Sequence, residues 1–201
     1  LDSLREADGM TLRMALGEKP HLGRISSRQI VLNSPILFMS DIHKIKAQEE
    51  TAWSQFDLLF HPDFSQNSTN QTTIINSIDS IAIEVVAFAR EKGGIAILSD
   101  RHIARGSAAL PMIVTVSAIN QRLIEEGLRF KVSLVVESGQ IYSSHHIACC
   151  LGFGASAVYA LSVRLRAEEL YPEDPSSAYK RFKKAAEKAL MKTMGKVGLC
   201  T

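Results

Sequence analysis

The chain has 201 residues, of which 46% are hydrophobic and 22% charged, and its formal net charge at pH 7 is only +2. This balance argues against bulk binding of nucleic acid or of an anionic membrane, and no apolar run approaches the roughly 18 residues of a membrane span. Three cysteines are too few for a disulfide framework, which favours a reducing compartment such as the cytoplasm. The length suits one domain with a substantial core, so we expect residues 1–201 to form a single domain.

The first part of the chain has the weakest pattern. Residues 1–50 are predicted to be an irregular segment of the domain, because glycines and a proline interrupt any long helix. Within it, the short apolar run Pro35–Met39 predicts a strand. A second strand is predicted at Phe56–Phe60, and the polar stretch His61–Asn70 is predicted to be a loop.

Further along, apolar residues follow the regular periods of helices and buried strands. The predicted helices are Ile74–Ala89, Leu110–Gly127, Ser143–Gly152 and Ser176–Lys196. The predicted strands between them are Ile95–Leu98, Val132–Val136 and Ser156–Ala160.

Alternating strands and helices at this spacing indicate right-handed βαβ units, and continuously apolar strands indicate burial on both faces of a sheet. The sequence therefore predicts a three-layer α/β domain with a mostly parallel sheet of about four to five strands flanked by helices. A Rossmann-like arrangement and a partial barrel are both compatible with this pattern.

The stretch Ser143–Ala157, "SSHHIACCLGFGASA", combines two histidines, two cysteines and a G-x-G. A dinucleotide fingerprint needs glycines that follow a strand and open a helix, whereas these glycines follow a helix and precede a strand. On a helix, the i, i+4 pairs His145/Cys149 and His146/Cys150 could each face a metal ion, but a structural zinc site needs two further ligands. We therefore predict a core helix, capped by Ser144, with no cofactor and no metal.

Polar residues cluster where the predicted strands end. They are Ser99, Asp100, Arg101, Glu137, Ser138, His145 and His146. Because ligands of open parallel sheets gather beyond the carboxyl ends of the strands, we expect these side chains to meet there. The favoured interpretation is a structural network, in which Asp100, Arg101, Glu137 and His145 bond to one another and to backbone amides; the alternative is a surface for a neighbouring domain or a ligand. No catalytic residue is predicted.

The last predicted helix has one strongly basic side. Its cations are Lys180, Arg181, Lys183, Lys184, Lys188 and Lys192. Such an amphipathic helix usually presents a solvated face and less often a docking surface.

Several segments, taken in order, carry a family resemblance. They include "LNSPILFMSD", "GIAILSDR", "ALPM" before a helix, "LIEEGLRFKVSLVVESGQ", "HHIACCLGFGASAVYAL" and the closing "KALMKTMGKVGLCT". Together they strongly resemble the central domain of the large subunit of glutamate synthase, over Leu1–Thr201.

The resemblance implies a multidomain enzyme that converts glutamine and 2-oxoglutarate into two glutamates. It implies flanking partners on the same chain: an amidotransferase domain that releases ammonia and an FMN-binding domain that carries FMN and an iron–sulfur cluster. The central domain is then a non-catalytic connector without a cofactor of its own, which couples the two reactions and helps to shape the ammonia path. The enzyme is expected in the cytoplasm, or in an organelle stroma in a eukaryote.

A second hypothesis comes from the residues alone. The strand-end cluster could belong to a free-standing α/β module that binds an amino acid or a 2-oxoacid, because Arg101 could pair with a ligand carboxylate.

Overall fold

In the computed structural model, the described residues are 9–20, 29–62 and 69–200, and they form eight strands and six α-helices. The strands are β1 (Met14–Leu16), β2 (Ile30–Leu32), β3 (Trp53–Asp57), β4 (Leu59–Phe60), β5 (Gly94–Ser99), β6 (Ala108–Ala109), β7 (Val132–Ser138) and β8 (Ala157–Ala160). The helices are α1 (Met39–Ala47), α2 (Thr69–Glu91), α3 (Met112–Glu125), α4 (Ser144–Gly152), α5 (Leu161–Leu170) and α6 (Pro175–Val197).

The centre of the fold is a parallel sheet of four strands in the order β3-β5-β7-β8. Every residue of β5, β7 and β8 is buried, which explains why these strands read as continuous apolar runs. Two small antiparallel pairs, β1–β2 and β4–β6, lie outside this sheet.

Helices cover both faces of the sheet. Phe56 of β3 packs on Phe88 of α2, with ring centroids 6.0 Å apart. The preceding side chain, Gln55, points to the opposite face, where it accepts a hydrogen bond of 2.7 Å from Lys46 of α1. Helices α2, α3 and α4 each link two successive strands and contact one another in turn. The predicted three-layer α/β domain is therefore confirmed.

The strand order distinguishes the two arrangements that the sequence left open. Successive strands of the sheet follow the chain order without a reversal, whereas a Rossmann-like sheet reverses at a switch point. The strand order is that of consecutive βα units, as in a partial barrel.

Part of the predicted irregular segment 1–50 lies outside the described residues, namely 1–8 and 21–28. The rest contains β1, β2 and α1. The strand predicted at Pro35–Met39 is wrong, because in the described structure Ile36 forms just one isolated parallel bridge, to Val158, before α1 begins at Met39.

Helix α2 contains one stretch, Gln71–Glu91, that is long and apolar enough to cross a membrane by length and composition. The expectation that no run reaches this length is therefore wrong. One side of this stretch packs on the core, because Val85 and Ala89 are fully buried and α2 contacts α3.

Candidate functional site

The sheet register gathers polar residues at the carboxyl ends of the strands. Asp57 lies opposite Ser99, Ser99 opposite Glu137, and Glu137 opposite Tyr159. Residues paired in this way point to the same face, here the one covered by α1. Asp100 comes one residue later than Ser99, so its side chain belongs to the other face. The predicted cluster is therefore two networks, one on each side of the sheet.

The first network centres on the carboxylate of Glu137. Arg101 donates from Nε and Nη2 to Oε1 at 3.0 and 2.6 Å, and Ser99 Oγ donates to Oε2 at 2.8 Å. The backbone amide of Arg101 in turn donates to Ser99 Oγ at 3.1 Å. The Glu137 side chain is only 1% exposed, while that of Arg101 is 32% exposed.

The electrostatics of this network favour its ionised form. Burial raises the pKa of the Glu137 carboxyl, but hydrogen bonds from Arg101 and Ser99 outweigh burial, so this pKa lies below its usual value. The bond to Glu137 raises the pKa of Arg101. The result is a buried carboxylate held by one partly exposed cation.

The second network centres on Asp100, which is buried on the opposite face. It accepts hydrogen bonds from Ser138 Oγ at 2.6 Å, from the amide of Gly139 at 2.8 Å and from Gln140 Nε2 at 3.3 Å. The Gln140 amide group also donates to the carbonyl of Leu110 at 2.8 Å and accepts from the amide of Met112 at 3.1 Å. This network ties the loops after β5 and β7 to the start of α3.

The two histidines take no part in either network among the described contacts. His145 is exposed, with Nε2 3.5 Å from Sγ of Cys149. The His146 ring packs edge-on against Tyr142, with centroids 4.3 Å apart, and its buried Nδ1 has no hydrogen-bond partner within the described part of the chain. The expected bond between His145 and the strand-end carboxylates is therefore not formed.

The helix over Ser143–Gly152 is present as predicted, but its cap is one residue earlier than expected. Oγ of Ser143 accepts the amide of His146 at 3.2 Å, and Ser144 is already the first helical residue. The helix ends before Gly154, whose φ of 120° serves the turn into β8.

Sequence reasoning missed two residues at the strand ends, Gln140 and Tyr159. Gln140 follows β7 directly, so its position after a strand was a usable signal. Tyr159 lies inside an apolar strand and gave no such signal. Its hydroxyl is fully buried and has no hydrogen-bond partner among the residues that the structure describes. Burial raises the pKa of Tyr159, and the nearby Arg101 guanidinium only partly offsets this.

At the sheet edge, one further acidic residue is accessible to solvent. His102 Nδ1 lies 3.0 Å from Oδ2 of Asp57, and Gln55 Nε2 donates to Oδ1 at 3.0 Å. Burial raises the pKa of Asp57, but the hydrogen bonds from Gln55 and His102 bring it below its usual value. Within residues 9–20, 29–62 and 69–200, no three His, Cys, Asp or Glu side chains form a group that could hold a metal ion.

The residues at the strand ends can hold two loops in fixed positions through ionised and hydrogen-bonded groups. The role of these residues as a site for a ligand or a neighbouring domain stays a prediction.

Comparison with known proteins identifies the family of this fold. The glutamate synthase central domain matches residues 1–201. The chain belongs to this family.

A ferredoxin-dependent glutamate synthase from Cyanidium caldarium is 35% identical over 161 residues, or 79% of the chain and 10% of that relative. The NADPH-type glutamate synthase large chain of Bacillus subtilis is 28% identical over the whole chain, which spans 13% of that relative. The NADH-type enzyme of Saccharomyces cerevisiae is 26% identical, again over the whole chain and 10% of the relative.

Solved structures show a similar fold at low sequence identity. A double mutant of flavocytochrome b2 with pyruvate bound gives a TM-score of 0.52 at 15% identity and covers 82% of this central domain and 36% of that chain. The same protein with sulfite bound gives a TM-score of 0.50, also at 15% identity, over 79% of this domain and 34% of that chain. These likenesses concern the α/β architecture alone.

Proposed function

We propose that this domain is a non-catalytic connector in the large subunit of a glutamate synthase. It couples a flanking amidotransferase domain to a flanking FMN-binding domain, so that glutamine and 2-oxoglutarate yield two molecules of glutamate. Membership of the central domain family over the whole chain supports this role, as do relatives that are themselves glutamate synthases. Ammonia passes between the flanking domains along a path that this domain helps to line.

The observation that carries the connector proposal is that the strand-end charges are satisfied within the domain. Both carboxylate oxygens of Glu137 and two donor nitrogens of Arg101 are occupied by bonds inside the first network. A ligand carboxylate would have to displace Glu137, which would leave a buried charge without its partner. This arrangement favours a rigid support over a free-standing module that binds an amino acid or a 2-oxoacid.

The proposal assigns the cofactors to other parts of the polypeptide. FMN and an iron–sulfur cluster belong to the flanking FMN-binding domain, and this domain binds neither. Electron donors differ among the relatives, which are described as dependent on ferredoxin, NADH or NADPH. We place the enzyme in the cytoplasm, or in an organelle stroma in a eukaryote.

The test uses the full-length polypeptide that contains this chain and the variant Arg101→Ala. Loss of the guanidinium frees the loop after β5, so the reaction centres of the two flanking domains lose their alignment with each other. We expect glutamine-dependent glutamate formation to fall about ten- to a hundredfold. Glutaminase activity and ammonia-dependent glutamate formation, measured separately, should keep most of their rates.

Arg105→Ala is the matched control, because Arg105 is exposed on the same loop. It should leave all three activities unchanged. The connector role is wrong if Arg101→Ala lowers the three activities equally, or if the full-length wild-type protein forms no glutamate from glutamine and 2-oxoglutarate. Binding of 2-oxoglutarate to the wild-type domain that Arg101→Ala abolishes would instead favour the binding module.

A further inference from the structure

Every charged residue that is exposed on helix α6 is a cation. We define this basic face by its exposed residues Lys180, Arg181, Lys184, Lys188 and Lys192. They lie opposite the buried residues of the same helix, which are Tyr179, Ala186 and Leu190. Within the part of the chain that the structure describes, the one ion pair on α6 joins Lys183 to Glu187, on the flank of the basic face.

This charge pattern differs from that of a helix built only for contact with water. The neighbouring helix α5 combines both signs, with ion pairs Arg164–Glu168 at 2.9 Å and Arg166–Glu169 at 2.6 Å. On α6, lysines four residues apart face one another in a row, and like charges at that spacing destabilise a helix. A partner that supplies negative charge would offset this repulsion.

An apolar groove borders the basic face. It lies between α5, α6 and the loop after β7, has a volume of about 520 Å³ and is lined mainly by Tyr142, Val163, Leu170, Tyr171 and Phe182. Tyr142, Leu170 and Tyr171 are each more than half exposed, at 63%, 54% and 53%. Arg181 stands over the Tyr171 ring, 5.8 Å from its centroid, so the groove and the basic face form one continuous surface.

We propose that this surface docks an acidic amphipathic helix of the same polypeptide, from outside the 201 residues. Its apolar side would fill the groove. Its carboxylates, four residues and therefore about 6 Å apart along the helix, would match the row of lysines. The near-neutral net charge of +2 does not favour nucleic acid or a membrane. The inference rests on the proposed connector role. The chain spans 10–14% of the length of its relatives, so they are seven to ten times longer and offer ample sequence for such a segment.

The test is zero-length carbodiimide crosslinking of the full-length protein, followed by peptide mass spectrometry. This reagent joins a lysine to a carboxylate only when the two groups are in contact. We expect crosslinks from Lys184 and Lys188 to Asp or Glu residues beyond the 201-residue segment. Lys44 and Lys92 are the controls, because both are exposed and lie on other elements, and they should give no such crosslinks.

A paired variant makes the result specific. Lys184→Glu with Lys188→Glu should abolish the remaining crosslinks of Lys180 and Lys192, whereas Lys44→Glu with Lys92→Glu should leave them in place. The inference is overturned if the basic face crosslinks no more than the control lysines, or only to a different polypeptide. It is also overturned if the basic face is accessible to a lysine-acetylating reagent only after nuclease treatment, since nucleic acid would then be the occupant.

The crosslinks and the activities report on different claims. Crosslinks without any glutamate formation would refute the connector role and leave the docking surface standing. Uncoupling by Arg101→Ala without crosslinks would do the reverse.

Discussion

Glu137 shows how a single side chain is stabilised against its own desolvation. A carboxylate that is 1% exposed ordinarily becomes protonated, because burial disfavours the charged form. Here Arg101 and Ser99 together supply three hydrogen bonds to its two oxygens. The pKa consequently moves down rather than up, and the ionised form belongs to the native state.

We expect Glu137→Gln to lower the free energy of unfolding by about 1–3 kcal/mol at pH 7, because Arg101 loses its charged partner while the shape of the side chain is kept. The folded pKa of Glu137 is depressed, so its stabilising contribution is present above the unfolded pKa of about 4.3 and is lost as the pH falls through the folded pKa. Urea unfolding of wild type and variant between pH 7 and pH 3 should therefore show a gap that narrows below about pH 4.3.

Glu126→Gln is a suitable control, because its partner Arg90 is 60% exposed and surface ion pairs contribute little. A gap between wild type and Glu137→Gln that stays constant over the whole pH range would mean that the Glu137 charge is not what Arg101 stabilises.

At the scale of single elements, helix α4 depends on its first turn. There the side-chain oxygen of Ser143 accepts a hydrogen bond from the otherwise unpaired amide of His146. We expect Ser143→Ala to destabilise the domain by about 1 kcal/mol, and Ser144→Ala to have an effect near zero. Thermal unfolding of both variants measures the difference. Equal effects would show that the hydrogen bond to His146 is not the source of the stabilisation.

Strand β5 begins at a position that only glycine can occupy. Gly94 has a φ of 106°, and a Cβ built there would lie 2.1 Å from the carbonyl oxygen of Ala52. The close approach accompanies a hydrogen bond of 2.9 Å from Ile95 to the same oxygen, which aligns β3 with β5.

Gly94→Ala should therefore destabilise the domain by more than about 3 kcal/mol, since strain in φ is added to a clash with backbone. Gly127→Ala is its counterpart, because Gly127 also has a positive φ (68°) but has no atom near the added Cβ. It should cost only about 1–2 kcal/mol. Chemical denaturation of both variants gives the comparison, and equal losses would contradict the close approach.

Most regular elements could be predicted from the sequence because their apolar periods match burial. α2, α3, α4 and α6 and strands β5, β7 and β8 all agree with expectation to within a few residues. Helix α1 could not be predicted, because Phe38 stands at its N-cap and only the return bond from the Phe38 amide to Asp41, at 2.8 Å, marks the start. Helix α5 follows β8 without a loop, so no turn residue in the sequence marks the start of this helix.

The strand-end residues could be predicted as neighbours, but not as two networks. Ser99 and Asp100 are adjacent in sequence, and the register decides that one faces α1 and the other the loop after β7. The expected position of the histidines was wrong because a loop separates the end of β7 at Ser138 from the start of α4 at Ser144. This loop places His145 away from the sheet edge. Such distances depend on loop conformation, which the apolar pattern does not encode.

Across the whole molecule, long-range bonds join the chain segments that precede and follow the sheet to its strands. Ser133 of β7 exchanges two hydrogen bonds with Gly17, at 3.0 and 2.9 Å. The amide of Ala160 in β8 donates to the hydroxyl of Tyr179 in α6 at 3.3 Å, and this hydroxyl donates to the carbonyl of Leu37 at 2.9 Å. Because the outer segments bond to the sheet, we expect the described domain to unfold as one cooperative unit.

The three cysteines allow this cooperativity to be measured. Cys150 is fully buried, and burial raises the pKa of its thiol to about 12, so its reactive thiolate is scarce at pH 8. In a variant with Cys149→Ser and Cys200→Ser, we expect Ellman's reagent to modify Cys150 only at the rate of global unfolding, with a urea dependence that matches equilibrium unfolding. Exposed Cys200, alone in the Cys149→Ser, Cys150→Ala variant, should react at once. If Cys150 reacts in native buffer without any dependence on urea, then α4 opens by itself and the domain is not one cooperative unit.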